Sequence, residues 1–250
     1  MNQYTELVEA LKKHSPIVFL GGAGVSTESG IPDFRSESGI YKTIHEYGYP
    51  PETILSAPFF YDETETFYEY YKKYLLHPEA KPNRAHKALA RLEEDGRLTG
   101  VVTQNIDNLH QEAGSVRVFE LHGSVYRNFC TKCNKSFQLD YIIKSAGVPK
   151  CDNCGGIIKP DVVLYGEGLD EVVLRGAISR ISGAEMLIIG GTSLAVYPAA
   201  GLVNYFSGKT LAIINKSPTP ADRNASIVVN DSIGKVLGDA VDEILGKEQD

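Results

Sequence analysis

Residues 17–36 read IVFLGGAGVSTESGIPDFRS, which is an apolar run, a glycine-rich turn and then the tetrapeptide Pro-Asp-Phe-Arg. An apolar strand followed by Gly22, Ala23 and Gly24 is typical of the turn that opens a dinucleotide-binding fold. That fingerprint also needs Gly or Ala at position 27 and an acidic residue about 20 positions further on. Position 27 is Thr27, so an ordinary dehydrogenase loop does not explain the stretch.

Short apolar runs alternate with longer helical patterns along the rest of the chain. The runs are continuous rather than alternating with polar residues, as in strands that are buried on both faces. This order predicts a Rossmann-like α/β fold, an open parallel sheet with helices on both sides. The strand candidates are 17–20, 100–103, 117–120, 161–165, 186–190, 210–214 and 226–229, and the helix candidates between them are 83–95, 169–182, 196–207 and 232–246.

Two inserts interrupt this alternation and predict a small domain made of a zinc ribbon and a helical insert. The first insert is rich in Tyr and Pro and contains a helical stretch at 64–76, and the second contains all four cysteines. Insertions of this length are usually functional or contain helices of their own. We expect a Rossmann-like domain from 1–35, 81–125 and 159–250, a helical insert at 36–80 and a zinc-ribbon insert at 126–158.

The composition predicts a globular protein without a nucleic-acid or membrane partner. The chain has 250 residues, 42% of them hydrophobic and 23% charged, with a formal net charge of −7 and a pI of about 5.4. Nucleic-acid-binding proteins usually carry a basic patch, and an acidic balance argues against one. No apolar run approaches the length of a membrane span, and the first residues predict an amphipathic helix ended by Pro16 rather than a signal peptide. We expect a cytoplasmic monomer.

The four cysteines have the spacing C-x2-C-x17-C-x2-C, with Cys130 and Cys133 in the first pair and Cys151 and Cys154 in the second. Two pairs at this distance are typical of a zinc ribbon, in which four thiolates surround one tetrahedral ion. Because four thiolates close the coordination sphere, the predicted zinc is structural rather than catalytic. Two disulfides and a redox C-x-x-C pair are the alternatives, and the lack of a secretion signal argues against disulfides.

Polar residues follow five of the predicted strands. In a parallel sheet the carboxyl ends of the strands lie at one edge, where ligands of open α/β folds bind. Polar residues could simply terminate buried strands, but five such ends together predict one shared crevice. The residues concerned are Gly21–Gly24, Gln104–Asp107, His122, Gly190–Ser193 and Asn215.

Six histidines are candidates for acid–base chemistry, and His122 is the strongest of them. It lies between a predicted strand and a glycine, on neither a helix face nor a hydrophobic stripe. His86 lies on a predicted helix as a packing or capping residue, and His110 follows the QNID loop at 104–107 as a support for it. The other three, which we expect to be solvent-exposed, are His14, His45 and His77.

Five motifs together resemble the sirtuin family, the NAD-dependent protein-lysine deacylases. They are GGAGVSTESGIPDFRS at 21–36, TQNIDNLH at 103–110, ELHGSV at 120–125, GTSLAVYPAA at 191–200 and IIN at 213–215. The predicted zinc ribbon falls between the third and the fourth motif, where the family has it. The resemblance runs from about residue 15 to about residue 240, and the first three motifs together are far more specific than a lone G-x-G-x-x-G.

The resemblance implies that NAD is a co-substrate whose nicotinamide–ribose bond is broken, and that the chain holds one structural Zn²⁺. Because no hydride is transferred, the third glycine and the ribose acid of the dehydrogenase fingerprint are not needed. Phe34 would shield the exposed ribose from water, and Arg35 would pair with phosphate. The implied cofactor-binding residues are Gly22, Ala23, Gly24, Thr27, Asp33, Phe34, Arg35, Gln104, Asn105, Ile106, Asp107, His122, Gly191, Thr192, Ser193, Asn215, Lys216 and Ile233.

The resemblance also assigns the chemistry to three residues. Asn105 and Asp107 would position the ribose and the nicotinamide amide, and His122 would act as general base on a ribose hydroxyl. The products would be free lysine, nicotinamide and acyl-ADP-ribose. An acetyl-lysine peptide would be added as a strand between 162–167 and 194–198. Its implied contacts are Val163, Tyr165, Gly166, Glu167 and Val196.

The residues leave the final reaction open. The same site could support mono-ADP-ribosyl transfer or NAD hydrolysis, because these reactions share the first half-reaction. A regulatory module that binds NAD without turnover is a further alternative, against which the presence of all three catalytic residues argues.

The first insert also bears on the acyl group. Relatives that remove succinyl or malonyl groups resemble one another in a Tyr-x-x-Arg pair on its helix, but no arginine occurs from 36 to 83 here. Only Lys72 or Lys73 could take that place, and lysine lacks the planar two-pronged contact that a carboxylate prefers. We therefore expect a preference for acetyl or another small neutral acyl group.

Overall fold

The computed structural model describes residues 2–32 and 44–247, and within these ranges six strands form a parallel sheet. The strands in chain order are β1 (Ile17–Gly21), β2 (Leu98–Thr103), β3 (Val118–Glu120), β4 (Gly123–Cys130), β5 (Ser136–Gln138), β6 (Ile158–Val162), β7 (Met186–Gly190), β8 (Thr210–Ile214) and β9 (Ile227–Val229). The parallel sheet has the order β3-β2-β1-β7-β8-β9, which confirms the predicted open sheet.

Helices cover both faces of this sheet, as predicted. In chain order, the α-helices of the described ranges are α1 (Gln3–Lys13), α2 (Pro51–Ile54), α3 (Ala57–Asp62), α4 (Thr64–Tyr74), α5 (Arg84–Glu94), α6 (Leu109–Glu112), α7 (Leu139–Lys144), α8 (Glu171–Ser182) and α9 (Ile233–Leu245). The helices α1, α5 and α9 pack on one face, and α8 packs on the other. The predicted helix at 196–207 is a shorter 3₁₀ helix, Ala199–Tyr205, which packs beside α8.

The central strand β1 shows why the apolar runs are continuous. All five of its residues are buried, because β1 lies in the middle of a sheet that is covered on both faces. Successive side chains of a strand point to opposite faces. Ile17 and Phe19 therefore enter the core beside α1, α5 and α9, whereas Val18 and Leu20 enter the core beside α8. A polar residue at any of these four positions would be placed inside one core or the other.

The N-terminus of α5 holds the glycine-rich loop in place. Asn83 and His86 form a capping box, in which the His86 Nδ1 accepts the Asn83 backbone N–H at 3.2 Å. The Asn83 side-chain amide also donates to the carbonyl of Val25 at 2.8 Å and to the hydroxyl of Ser29 at 3.0 Å. This confirms His86 as a capping residue and ties the loop after β1 to a helix of the main core.

A second sheet lies beside the first and, within the described residues, has three strands in the order β5-β4-β6 with antiparallel pairing. It shares one core with α2, α3, α4 and α7. The helical insert contributes large buried aromatic rings to this core, and Phe67 and Tyr71 of α4 stack with their ring centroids 5.6 Å apart. The two inserts therefore pack together into the small domain that the sequence predicts.

The prediction that 161–165 is a strand of the parallel sheet is wrong. The strand at this place is β6, which covers residues 158–162 and pairs with β4 in the antiparallel sheet. Its residues alternate between buried and partly exposed, because only one face of the small sheet is covered by the core. The apolar residues that follow, Val163 and Leu164, line a cleft instead.

The domain boundaries near 35, 80, 125 and 158 stay a prediction. The strand β4 begins before the boundary near 125, and β6 lies across the boundary near 158.

In the two described ranges, no helix has both the length and the apolar character that crossing a bilayer requires.

Candidate active site

A cleft opens at the carboxyl ends of β1, β2 and β7, with a cavity volume of about 370 Å³. This is the edge at which open α/β sheets bind their ligands. Most of the predicted site residues meet there. Those that line the cleft are Gly22, Ala23, Gly24, Gln104, Asn105, Ile106, Asp107, His122, Gly191, Thr192, Ser193, Val163, Tyr165, Gly166, Glu167 and Val196.

Four of the predicted cofactor residues lie outside this lining. Thr27 is exposed, and its hydroxyl donates to a carbonyl of the glycine loop at 3.0 Å. The Asn215 side-chain amide donates to the carbonyl two residues further on at 2.7 Å, and Lys216 is exposed. Ile233 begins α9 and is buried in the core. Three more lie outside the described residues, namely Asp33, Phe34 and Arg35. The roles of these seven, like those of the residues that line the cleft, stay predictions.

The loops after β1 and β7 touch backbone to backbone. The Gly24 N–H donates to the Gly191 carbonyl at 2.8 Å. A Cβ on Gly24 would lie 2.8 Å from Gly191, and a Cβ on Gly191 would lie 2.3 Å from the backbone nitrogen of Val25. Gly191 also has a φ of +57°, in the left-handed region that favours glycine. Both positions therefore require glycine, and the contact leaves one side of the cleft lined by bare backbone.

A hydrogen-bond network joins the glycine loop to the QNID loop. The Ser26 hydroxyl donates to Oδ2 of Asp107 at 2.6 Å, and the Asn105 side-chain amide donates to the Ser26 oxygen at 3.0 Å. The other Asp107 oxygen accepts the Leu109 N–H at 3.0 Å. Burial raises the pKa of Asp107, and the hydrogen bonds from Ser26 and Leu109 oppose that rise. Asn105 and Asp107 are therefore held side by side in one orientation.

Ser26 is a site residue that the sequence analysis missed. It is almost fully buried and lines the cleft between the two loops. The feature of the sequence that could have identified it is its place as the polar residue that ends GAGVS in the first motif. Serine is common in loops for purely local reasons, so only its contact with Asp107 identifies it as part of the site.

The backbone of Gln104 sets the orientation of the His122 ring. Nδ1 lies 2.9 Å from the Gln104 carbonyl oxygen, which can only accept, so Nδ1 carries the hydrogen. In the neutral ring Nε2 then has the lone pair that a general base needs. The Gln104 side chain donates to the Thr192 hydroxyl at 3.2 Å, which connects this arrangement to the loop after β7.

The segment 163–167 forms one wall of the cleft. The Val163 N–H donates to the His122 carbonyl at 3.0 Å, and the Tyr165 N–H donates to the carbonyl of the residue after α2 at 2.9 Å. Val196 lines the cleft from the loop after β7. The segment is therefore held by backbone hydrogen bonds at Val163 and Tyr165. It lines the same cleft as Val196, the predicted peptide contact on the loop after β7.

The four cysteines fit a structural zinc site. Their sulfur atoms all lie within 4.8 Å of one another, with Cys130 and Cys154 at 3.4 Å and Cys133 and Cys151 at 3.6 Å. A tetrahedron with Zn–S bonds of about 2.3 Å has sulfur–sulfur edges of about 3.8 Å. The sulfurs are too far apart for disulfides, whose S–S bond is about 2.05 Å, and all four thiols are free. The arrangement therefore fits one metal ion better than two disulfides.

The sequence model of the Sir2 family matches residues 22–198, which is more than half of the chain. The chain belongs to the Sir2 family. The matched range contains the glycine loop, the QNID loop, His122 and all four cysteines, so the resemblance to sirtuins is confirmed.

The Sir2 chain is similar over nearly its whole length to proteins whose names state an activity. A Clostridium acetobutylicum protein named NAD-dependent protein deacetylase is 57% identical over 238 residues, covering 95% of this chain and 97% of that protein. A solved Sir2 variant with a deacetylated p53 peptide and 3'-O-acetyl-ADP-ribose is 41% identical, with a TM-score of 0.88 and coverage of 99% and 100%. A Sir2 structure with a p53 peptide and NAD⁺ is 40% identical, with a TM-score of 0.84 and coverage of 95% and 97%.

Two histidines of this Sir2 chain, one on α5 and one on α6, are buried side by side. His86 and His110 are 0% and 1% exposed, and their ring centroids lie 4.7 Å apart. Burial lowers the pKa of His86 to about 4, and burial together with the His86 ring lowers the pKa of His110 well below its usual range. Both rings are therefore neutral near pH 7. His86 lies on α5 and His110 on α6, and neither ring lines the cleft. That His110 supports the QNID loop stays a prediction.

The predicted exposure of the other histidines holds only for His45, which is exposed. His14 is buried at 6% exposure, with Nδ1 3.4 Å from a carboxylate oxygen of Glu185 and Nε2 3.1 Å from the hydroxyl of Thr210. It lies where α1 ends against the starts of β7 and β8, so polar groups from both strands enclose it. His77 is partly buried and lines the cleft.

We expect mild acid to destabilise the Sir2 chain through His86. A histidine with a folded-state pKa of about 4 and an unfolded pKa of about 6.5 contributes fully above pH 6.5 and loses that contribution as the pH falls toward 4. At about 1.4 kcal/mol per pH unit, the free energy of unfolding should fall by roughly 2–3 kcal/mol between about pH 6.5 and 4.5. Urea denaturation across this range measures the fall.

His86→Gln is the matched variant for this measurement. Glutamine can still accept the Asn83 N–H of the capping box but does not titrate, so the stability of the variant should fall less steeply with pH. Asp107, whose raised pKa acts with the opposite sign, titrates in both proteins and therefore does not affect the difference. Identical pH dependence in the two proteins would contradict the prediction.

Proposed function

We propose that this protein removes acetyl groups from lysine side chains of proteins with NAD as co-substrate, giving free lysine, nicotinamide and acetyl-ADP-ribose. The observation that carries the proposal is the orientation of His122, whose Nδ1 contacts the Gln104 carbonyl in the cleft that also contains the glycine loop and Asp107. The name of the C. acetobutylicum relative and the ligands in the two Sir2 structures support it.

The cleft suits NAD on its glycine-lined side. Because Gly22, Gly24 and Gly191 line the cleft and carry no side chains, a pyrophosphate could approach the backbone closely there. Asn105 and Asp107, held by Ser26, would hold the ribose and the nicotinamide amide. The amide oxygen of an acetylated lysine is a weak nucleophile, so the first step depends on alignment with the ribose carbon rather than on a strong base.

His122 acts in the second half of the reaction. Its Nε2 would accept the proton of a ribose hydroxyl, and that hydroxyl oxygen would attack the acyl carbon, which the first step has joined to the ribose through the acyl oxygen. The bond from this carbon to the lysine nitrogen then breaks and releases the free amine, and one water molecule completes acetyl-ADP-ribose. The Gln104 carbonyl keeps Nδ1 protonated and so keeps the lone pair on Nε2. An imidazole with this orientation is suited to proton transfer near pH 7.

The peptide would lie along the cleft as an added strand between the segment 163–167 and the loop that contains Val196. Strand addition forms main-chain hydrogen bonds and reads little side-chain information. Glu167 is anchored by Lys159 at 3.1 Å, which stabilises this wall before a peptide arrives. Selectivity among proteins would therefore depend mainly on whether an extended acetyl-lysine segment is accessible.

We expect kcat/KM for an acetyl-lysine peptide to exceed that for the matched succinyl-lysine peptide by roughly 10- to 100-fold. Both lysines of α4 are already engaged. The Lys72 ammonium donates to the carbonyls of Ser145 and Gly147 at 2.6 and 2.8 Å, and Lys73 pairs with Glu46. A buried carboxylate without a partner costs on the order of a few kcal/mol.

The comparison uses peptides that differ only in the acyl group. Lys73→Ala serves as the control, because a lysine paired with Glu46 should leave the ratio unchanged. Equal kcat/KM values for the two peptides, or a succinyl preference that Lys73→Ala removes, would defeat the prediction.

Mass spectrometry of an acetyl-lysine peptide incubated with the protein, with and without NAD, tests the proposed function. Deacetylated peptide, nicotinamide and acetyl-ADP-ribose should form in equal amounts and only with NAD. A peptide that gains the mass of ADP-ribose would indicate mono-ADP-ribosyl transfer, and free ADP-ribose with unchanged peptide would indicate NAD hydrolysis. The cytoplasmic location, the monomeric state and the lack of a nucleic-acid partner stay predictions.

A further inference from the structure

The short stretch that carries His122 connects the two sheets. The strand β3 ends at Glu120 in the parallel sheet, and β4 begins at Gly123 in the antiparallel sheet. The His122 carbonyl accepts the Val163 N–H at 3.0 Å, from the segment that continues β6. The position of the proposed base therefore depends on how the two sheets meet.

Gly123 marks the crossing point. It has a φ of +75°, and a Cβ there would lie 1.9 Å from the carbonyl oxygen of Asp161 on β6. The pairing of β4 with β6 then shifts register between Ser124 and Asn128, so residues 125–127 form a bulge. Bulges next to functional sites often redirect a side chain, and this one contains Arg127.

Arg127 bridges the two sides of the crossing. Its Nη1 donates to a carboxylate oxygen of Glu120 at 2.6 Å, and its Nε donates to a carboxylate oxygen of Asp161 at 2.7 Å. The Glu120 side chain is only 10% exposed, whereas the side chains of Arg127 and Asp161 are 46% and 42% exposed, so the bridge has one buried end and one end at the surface. A planar guanidinium can hold two carboxylates in a fixed geometry, which the single charge of a lysine cannot do.

We infer that Arg127, together with Glu120 and Asp161, is a positioning residue for His122. It contacts the end of β3 through Glu120 and β6 through Asp161, next to the two-residue link between β3 and β4 that contains His122. It thereby sets where the imidazole lies in the cleft. Arg127 is absent from the described residues that line the cleft, so it acts through His122 and not on the substrate. The inference rests on the role of His122 in the proposed function.

The test separates the two half-reactions. The first half-reaction breaks the nicotinamide–ribose bond reversibly, and exchange of labelled nicotinamide into NAD measures it. This exchange does not need the proton transfer to His122, whereas deacetylation does. Arg127→Ala should lower kcat for deacetylation by roughly 10-fold, since a misplacement of about 1 Å can cost up to 10²-fold. Nicotinamide exchange and the KM for NAD should change by less than about twofold.

Two further variants make the result specific. Arg127→Lys, which can hold one carboxylate but not both, should give an intermediate kcat. Arg175→Ala removes an exposed ion pair with Glu171 on α8, with N···O at 3.0 Å, and should behave as wild type in both assays.

An activity-independent measurement is the NMR signal of the His122 ring, assigned by its loss in His122→Ala. The signal should move in Arg127→Ala and not in Arg175→Ala. Equal losses of exchange and deacetylation, or an unmoved ring signal, would overturn the inference. A wild-type protein that releases no nicotinamide would overturn the proposed function instead, and the ring signal would still decide the role of Arg127.

Discussion

Replacing His122 by Ala should lower kcat for deacetylation by roughly 10²–10⁴-fold, the range typical of a lost general base. The variant keeps the glycine loop and the Ser26–Asn105–Asp107 network, so NAD binding should stay close to wild type. The hydrogen bond that His122 makes to the Gln104 carbonyl is worth only about 0.5–1.5 kcal/mol, so the fold should survive. Single-turnover deacetylation and calorimetric NAD binding measure the two quantities.

His45→Ala is the matched control, because this histidine is exposed and does not line the cleft. Its turnover should equal that of wild type. The His122 variant should also retain nicotinamide exchange, since the first half-reaction depends on alignment rather than on the base. Turnover of His122→Ala within a few-fold of wild type would remove this residue from the mechanism.

Loss of zinc should unfold the antiparallel sheet and lower the melting temperature by a large margin. The metal would join β4, through Cys130, to the chain before β6, through Cys151 and Cys154. Zinc binding in small zinc domains contributes about 10–16 kcal/mol, which is also folding free energy. Cys151→Ala should therefore lose the metal and much of its solubility. Because β4 starts beside His122, activity should be lost together with the sheet.

Elemental analysis and thermal unfolding check this prediction on protein purified without a chelator, which should contain one zinc per chain. Lys144→Ala is a control within the same insert, because its ion pair with Asp140 is exposed at 76% and 78%. This control should keep its zinc and lose less than about 1 kcal/mol. Wild-type protein free of zinc but fully folded would contradict the prediction.

The parallel sheet was predictable because strands buried on both faces must be apolar at every position, as β1 is. The same rule failed at 161–165, where Val163 lines the cleft and Leu164 is buried in the core of the small domain beside it. A linear pattern shows that a residue avoids water but does not show which surface covers it. The strand β6 pairs with β4 because the chain turns into the antiparallel sheet after His122. A local sequence pattern does not contain this information.

The site residues at the strand ends could be predicted from the order of strands and helices along the chain. The hydrogen-bond partners of individual side chains could not. Ser26 meets Asp107 across 81 positions of sequence, and His14 meets Glu185 across 171. No local pattern encodes such a pairing, because it depends on two strands becoming neighbours. Cysteine spacing was the exception, since a single ion restricts the four ligands to a few arrangements.

The backbone contact between Gly24 and Gly191 limits how this protein can be diversified in the laboratory. A library that varies the loops to change co-substrate selectivity should return only glycine at these two positions, since any side chain would collide with the facing loop. Ser193 belongs to the same pair of loops, lines the cleft and is exposed, so it should accept many residues. Selection for a modified nucleotide should therefore begin at this position and leave the glycine pair unchanged.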